Sequence, residues 1–282
     1  MIIVGLTGWG DHDGLYDGKV SPRDKLKEYS SHFPAVEVDA SFYAVQPVKN
    51  AAKWVEDTPD HFQFIVKAYQ GMTGHQRGEI PFKDKNEMFT AYKESLKPYL
   101  EANKHAMTLF QFPPWFDLRR ENVDYLRWCR EQMGDIDCAL EFRNQSWFEG
   151  EMREKTVDFM KAEKWIHSIC DEPQAGEGSI PTVLESTSPD KVLVRFHGRN
   201  VHGWNKKGRG QDWREVRYLY RYNQAELEEW AENLKKLNES TSQVFALFNN
   251  NSGGDAADNA KQMVDILDIE YEGLNPRQLD LF

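Results

Sequence analysis

Three pairs of polar residues share one spacing. Glu37 and Asp39, Glu141 and Arg143, and Arg195 and His197 each stand two positions apart within or at the end of a short apolar run. Residues two apart on a strand point to the same face, so each pair is expected to project side by side. Lys67, Gln111 and Asn249 stand at or just past the ends of three more such runs. Arg143 and Arg195 suit a bidentate grip on phosphate or carboxylate. Glu37 and Glu141 suit general acid or base work, and His197 suits proton transfer near neutral pH. Glu37, Lys67, Glu141 and His197 are therefore the candidate catalytic set, and Gln111, Arg143, Arg195 and Asn249 the candidate substrate-binding set. The same residues also read as a self-neutralising structural network, because a buried charge without a partner is costly. A divalent metal on Glu37, Glu141, Asp171 and His197 is the weaker reading. The arginines compete for the same carboxylates, and no HxH or HExxH spacing occurs, so no metal ligand is assigned.

These residues need elements to carry them. Eight apolar runs read as buried parallel strands: Ile2–Leu6, Ala35–Ala40, Phe62–Lys67, Met107–Phe112, Cys138–Arg143, Trp165–Cys170, Val192–His197 and Val244–Phe248. Helical patterns lie between them. Ser21-Pro22 reads as an N-cap and first helical position. Met88, Phe89, Tyr92 and Leu96 recur at helical period after the third strand. Asn223 and Glu226 have capping-box spacing ahead of Leu227, Trp230, Leu234 and Leu237. Alternating strands and helices predict a single (β/α)8 TIM-like barrel over 1–272, followed by a tail over 273–282. An open doubly wound sheet is the alternative. The weak link is 171–190, which shows no helical pattern before the seventh strand. In a parallel barrel the C-terminal strand ends form the functional mouth, and the polar set falls there.

The chain has 282 residues and a formal net charge of −11, so its average surface repels nucleic acid and anionic membrane. Cys129, Cys138 and Cys170 form no CxxC pair, as expected in a reducing compartment. The opening MIIVGLTGWGD lacks a basic segment and a long apolar run, and a cytoplasmic protein without membrane attachment is expected. No GxGxxG or Walker loop announces a cofactor.

One stretch reverses the acidic trend. Residues 195–222 hold eight Lys or Arg against two acids, with Trp204, Trp213, Tyr218, Tyr220 and Tyr222 interleaved. Cations with rings are what single-stranded nucleic acid requires. The loop after the seventh strand is also a frequent phosphate site in such barrels. A solvated loop whose arginines pair with the acidic body is the plainer reading.

The segments GLTGWGD, VEVDASFYAV, FQFIVKAYQGMTGH, LFQFPPWF, ALEFRNQSWF, VLVRFHGR, YLYRYNQAELEEW and FALFNNN follow one another as in the YecE-like family, domain of unknown function 72. The resemblance covers nearly the whole chain and implies a TIM barrel. It brings no settled activity. Its strand-end positions correspond to Glu37, Lys67, Gln111, Glu141, Arg143, Trp147, Arg195, His197, Gly198 and Asn249, which adds Trp147 and Gly198 to the substrate-binding candidates. The tail residues Gln278, Leu279, Asp280, Leu281 and Phe282 resemble the bacterial sliding-clamp-binding pentapeptide, in which aliphatic and aromatic anchors fill apolar pockets. Three functions stay open. The first is a hydrolase or lyase on a phosphorylated substrate, nucleic acid included. The second is a clamp-associated adaptor without catalysis. The third is a sugar-processing barrel using paired carboxylates.

Overall fold

The computed structural model describes residues 1–16, 20–176, 178–204 and 216–276. Eight parallel strands close into a barrel in sequence order. They are β1 (Ile2–Thr7), β2 (Ala35–Val38), β3 (Gln63–Lys67), β4 (His105–Gln111), β5 (Cys138–Glu141), β6 (Ile166–Asp171), β7 (Lys191–Phe196) and β8 (Gln243–Phe248). Each overlaps its expected run and differs by a few residues at the ends, where dihedral and hydrogen-bond boundaries commonly shift. Closure rules out the open sheet: β1 pairs with β8 through five residues in register.

Strand alternation sorts the core into two compartments. Outward residues such as Phe64, Phe110, Phe196 and Phe248 pack under the helices, with Phe196 4.9 Å from Trp230 and 4.4 Å from Phe248 between ring centres. Inward residues form a separate apolar plug that includes Ala35, Ile65, Leu109, Ala139, Leu193 and Leu247. One step of two residues up each strand replaces this plug with Glu37, Lys67, Gln111, Glu141, Arg195 and Asn249. The polar layer therefore rests on a dry floor at the C-terminal end of the barrel, and the registers Thr7 with Glu37 and Gln111 with Glu141 keep it level.

Two helix readings need adjustment. The first regular helix runs Lys25–Tyr29, so Ser21 is not its N-cap. The Ser21 carbonyl instead accepts the Asp24 and Lys25 amides in a preceding turn, and its hydroxyl donates to Asp24. The Asn223–Glu226 capping box is present in full at the start of Gln224–Ser240. Between β6 and β7 no helix occurs among the described residues. Ile180 and Val183 of that connection are nevertheless buried, so apolar burial takes the place of a helix. Among the described residues no helix is long and apolar enough to cross a membrane.

Gly5 sets the spacing of β1 and β2. A Cβ there would lie 2.3 Å from the Ala35 carbonyl oxygen and 3.1 Å from Leu247 Cδ2. Both neighbours are held, one by backbone and one by the plug. Gly5→Ala is expected to cost about 2 kcal/mol and to lower Tm by roughly 5 °C. Thermal unfolding followed by circular dichroism checks this, and an unchanged Tm would mean the strands separate freely there.

Candidate active site

Arg195 on β7 joins two carboxylates from other strands. Its Nε and Nη2 donate to both oxygens of Glu37 at 2.9 and 2.7 Å, and its Nη1 donates to Glu141 Oε2 at 2.8 Å. Glu141 Oε1 lies 2.5 Å from Arg143 Nη2, and Ser168 donates to Glu141 Oε2 at 3.1 Å. Arg143 Nη1 in turn donates to Glu172. All five charged side chains are buried. Lys67 Nζ stands above Glu37 at 4.0 Å and reaches Asp39 at 3.4 Å, with its side chain 14% exposed.

The surroundings push the carboxyl groups apart. Burial raises Glu141, but Arg143 and Arg195, with Lys67 behind them, outweigh it and hold the group at about 2. Glu37 has one arginine instead of two. Burial dominates there, the Asp39 and Glu141 charges add to it, and the group is pushed up to about 7 despite Arg195. Its bidentate contact with Arg195 favours the charged form and opposes the burial. Burial likewise lifts Glu172 to about 7 against Arg143.

His197 sits at the centre. Arg143 Nη2 lies 2.8 Å and Arg195 Nη1 3.5 Å from its Nε2. On the other side Asn249 Nδ2 lies 2.9 Å from Nδ1, and the Thr7 hydroxyl donates to Asn249 Oδ1 at 2.6 Å. Burial, then Arg143, Arg195, Arg217 and Lys67, drive the imidazole well below its ordinary pKa. It is neutral, and a neutral imidazole offers one lone pair. The Arg143 guanidinium and the Asn249 amide thus flank opposite sides of the ring.

The expected catalytic set Glu37, Lys67, Glu141 and His197 is therefore brought together, and Arg143, Arg195 and Asn249 join it. Gln111 is level with Glu141 on the neighbouring strand. Both arginines face carboxylates rather than an open surface, so they hold the layer in place instead of presenting free forks to a ligand. Trp147 is elsewhere: its indole donates to the Phe116 carbonyl and stacks 4.0 Å from Phe142. Gly198 has φ 81°, and a Cβ there would meet the Tyr220 Cβ at 2.5 Å. Its amide donates to the Tyr222 hydroxyl, so it turns the chain. Glu172, Cys170 and Ser168 were not among the candidates, although all lie at one parity along β6 and its extension. Asp171 has the opposite parity and binds Arg199 and the Tyr222 hydroxyl. Arg221 pairs with Asp255 and Asp258, so part of the basic 195–222 stretch is neutralised by the body. Its segment 205–215, Trp213 included, and the tail residues Gln278–Phe282 lie outside the described residues.

Glu141, Cys170 and His197 each bring a donor atom within 4.8 Å of the others. Arg143 Nη2 touches both the Glu141 oxygen and the His197 nitrogen, so a guanidinium already stands where a cation would bridge them. A cavity of about 700 Å³ opens at the other end of the barrel, lined by Ile2, Ile3, Pro34, Leu267, Ile269 and Tyr271 among others. It lies below the plug, far from the ionised layer.

Removing Arg195 leaves Glu37 without its partner. Arg195→Met is expected to destabilise the fold by about 3–5 kcal/mol at pH 8. Without the arginine, Glu37 rises further above the value of about 4.3 for a free glutamate. The folded state then holds a proton that the unfolded chain releases, so the variant loses stability as pH rises through neutrality. Urea unfolding should show a smaller gap to the parent at pH 5 than at pH 8. An equal gap would place the cost in packing rather than charge.

Residues 3–280 match the family model described as protein of unknown function DUF72. The UPF0759 protein YunF of Bacillus subtilis (strain 168) is 68% identical over 282 residues, covering all of both chains. The UPF0759 protein YecE of Escherichia coli O157:H7 is 22% identical over 225 residues, 73% of this chain and 78% of the relative. The crystal structure of a DUF72 family protein from Enterococcus faecalis V583 superposes with a TM-score of 0.93 at 39% identity, over 99% of this chain and 100% of that one. The chain belongs to the DUF72 family, and its fold is the closed barrel that the sequence patterning predicts.

Proposed function

We propose that the mouth of this barrel binds an anionic, phosphate-bearing ligand and acts on it by acid–base chemistry. The carrying observation is the Lys67 ammonium, 14% exposed at the mouth and standing 4.0 Å from Glu37 over the buried ion-paired layer. A partly exposed cation at the C-terminal end of a parallel barrel is a ready contact for an anionic oxygen. Lys67, Gln111 and Asn249 are the partly exposed members of the layer, so the ligand meets them first. Lys67 is the contacting acid–base group in this reading. Glu37, Glu141 and His197 govern the charge and protons beneath it, with Glu37 tuned to neutrality as a proton acceptor.

The charge balance gives a pH dependence. Glu37 and Glu172, each pushed up to about 7, gain protons as pH falls from 8 to 6, and the site becomes more cationic. Affinity for sulfate, whose own charge is constant over this range, is expected to rise severalfold between pH 8 and pH 6. Calorimetry measures it directly, and a flat or inverted profile would count against the site. At constant pH, inorganic phosphate, nucleotides and sugar phosphates test the ligand class. Lys67→Met is expected to weaken the binding ligands by about tenfold, equivalent to roughly 1.4 kcal/mol. Salt-independent indifference to all of them would remove the proposal.

A second reading concerns recruitment. The Asn275 side chain donates to Ser30 Oγ at 2.7 Å and to the Asp57 carbonyl at 3.0 Å, and its amide donates to the Ser30 carbonyl. The clamp-like pentapeptide Gln278–Phe282 follows just beyond that anchor in sequence, and this position supports a role in docking on a sliding clamp. The intact protein is expected to bind the bacterial clamp, and a form lacking the last five residues is expected not to. Equal behaviour of the two forms would end this reading.

A further inference from the structure

The loops after β2, β3 and β4 carry a connected line of rings along the rim of the mouth. Trp115 and Tyr43 are 56% and 65% exposed. Trp115 meets His75 edge-on at 5.8 Å between ring centres, His75 meets Phe42 at 5.1 Å, and Phe42 meets Tyr43 at 5.3 Å. Cations attend both ends. The Arg77 guanidinium lies 5.7 Å from the Trp115 ring centre, and Lys67 Nζ lies 4.9 Å from that of Phe42. Single exposed aromatics are ordinary on protein surfaces. Here they lead, contact by contact, to the ammonium group above Glu37.

The line is held in place by the loops themselves. The Gln70 amide donates to the Phe42 carbonyl at 2.9 Å, and the His75 amide donates to the Gln70 carbonyl at 3.0 Å. Thr73 Oγ1 lies 2.9 Å from His75 Nδ1. Asn144 donates to the Pro114 carbonyl at 2.6 Å, beside Trp115. Burial, with Lys67 and Arg143, lowers His75 to about 4, so its ring is uncharged at neutral pH.

We propose that this rim is a stacking platform for a nucleobase whose phosphate is drawn to the cations beside it, whether in a free nucleotide or in a single strand. The inference rests on the anion-binding reading of the mouth. Exposed aromatic residues with cations beside the line match a flat base joined to a phosphate. An uncharged oligosaccharide would use the rings and leave Arg77 and Lys67 without a role.

Four probes separate the cases: inorganic tripolyphosphate, dTMP, a ten-nucleotide oligo(dT) and maltotriose, each titrated into the parent protein, Trp115→Ala and Trp115→Phe. Trp115→Ala is expected to weaken dTMP or oligo(dT) by about fivefold or more, with tripolyphosphate unchanged and affinity recovered in Trp115→Phe. Dependence on Trp115 in dTMP identifies a free nucleotide; dependence in the oligomer alone identifies a single strand. Tripolyphosphate binding with nucleotide affinities indifferent to Trp115 would overturn the platform and leave the anion site standing. Trp115-dependent binding of maltotriose alone would also overturn it. Loss of all binding, tripolyphosphate included, would remove both.

Discussion

A single guanidinium ties the polar layer across the barrel. Arg195 of β7 reaches Glu37 of β2 with two hydrogen bonds and Glu141 of β5 with a third. These strands are far apart around the barrel, so the contact crosses its interior. Arg143 extends the layer from Glu141 to Glu172 and to His197. Every other placement at the mouth follows from this arrangement. Lys67 stands over Glu37, and Asn249 holds the far side of the imidazole.

Such a layer is a poor way to gain stability. Desolvating several charges offsets most of their attraction, and apolar residues of similar volume often serve as well or better. The apolar plug directly beneath shows that this interior accommodates aliphatic side chains. Stability alone does not account for an ionised layer in that position. The charges are also unequal. Glu141 has two arginines and stays ionised at about 2, whereas Glu37 and Glu172 are pushed up to about 7. Carboxyl groups whose environments separate their titration in this way can play different acid–base parts in one site. His197 is left neutral among cations.

The two ends of the barrel differ in kind. The N-terminal end has a cavity lined mostly by apolar groups. The C-terminal end holds the buried ion pairs among the described residues. The buried ion pairs lie at the mouth and not beside that cavity. The rim adds a third environment there, with rings exposed on one side and joined to Lys67 on the other.

Local pattern determined much of this protein. Short apolar runs at regular intervals specified eight strands, and two-residue spacing placed Glu37, Glu141, Arg143, Arg195 and His197 on the inner face, because alternation on a strand is a local property. The Asn223 cap was legible for the same reason, while Ser21 misled because a turn and a helix start share their first residues. Tertiary structure decided what these side chains do. Strand order and register chose which carboxylate receives two arginines and which receives one, and nothing local encodes that count. Glu172 went unnoticed because β6 ends before it, although its parity with Ser168 and Cys170 was readable. Trp147, read as a ligand contact, is stacked between Phe116 and Phe142, an arrangement set by the fold. The same holds for the rim: Tyr43, His75 and Trp115 follow separate strands, and the side-by-side pairing of β2, β3 and β4 makes them neighbours.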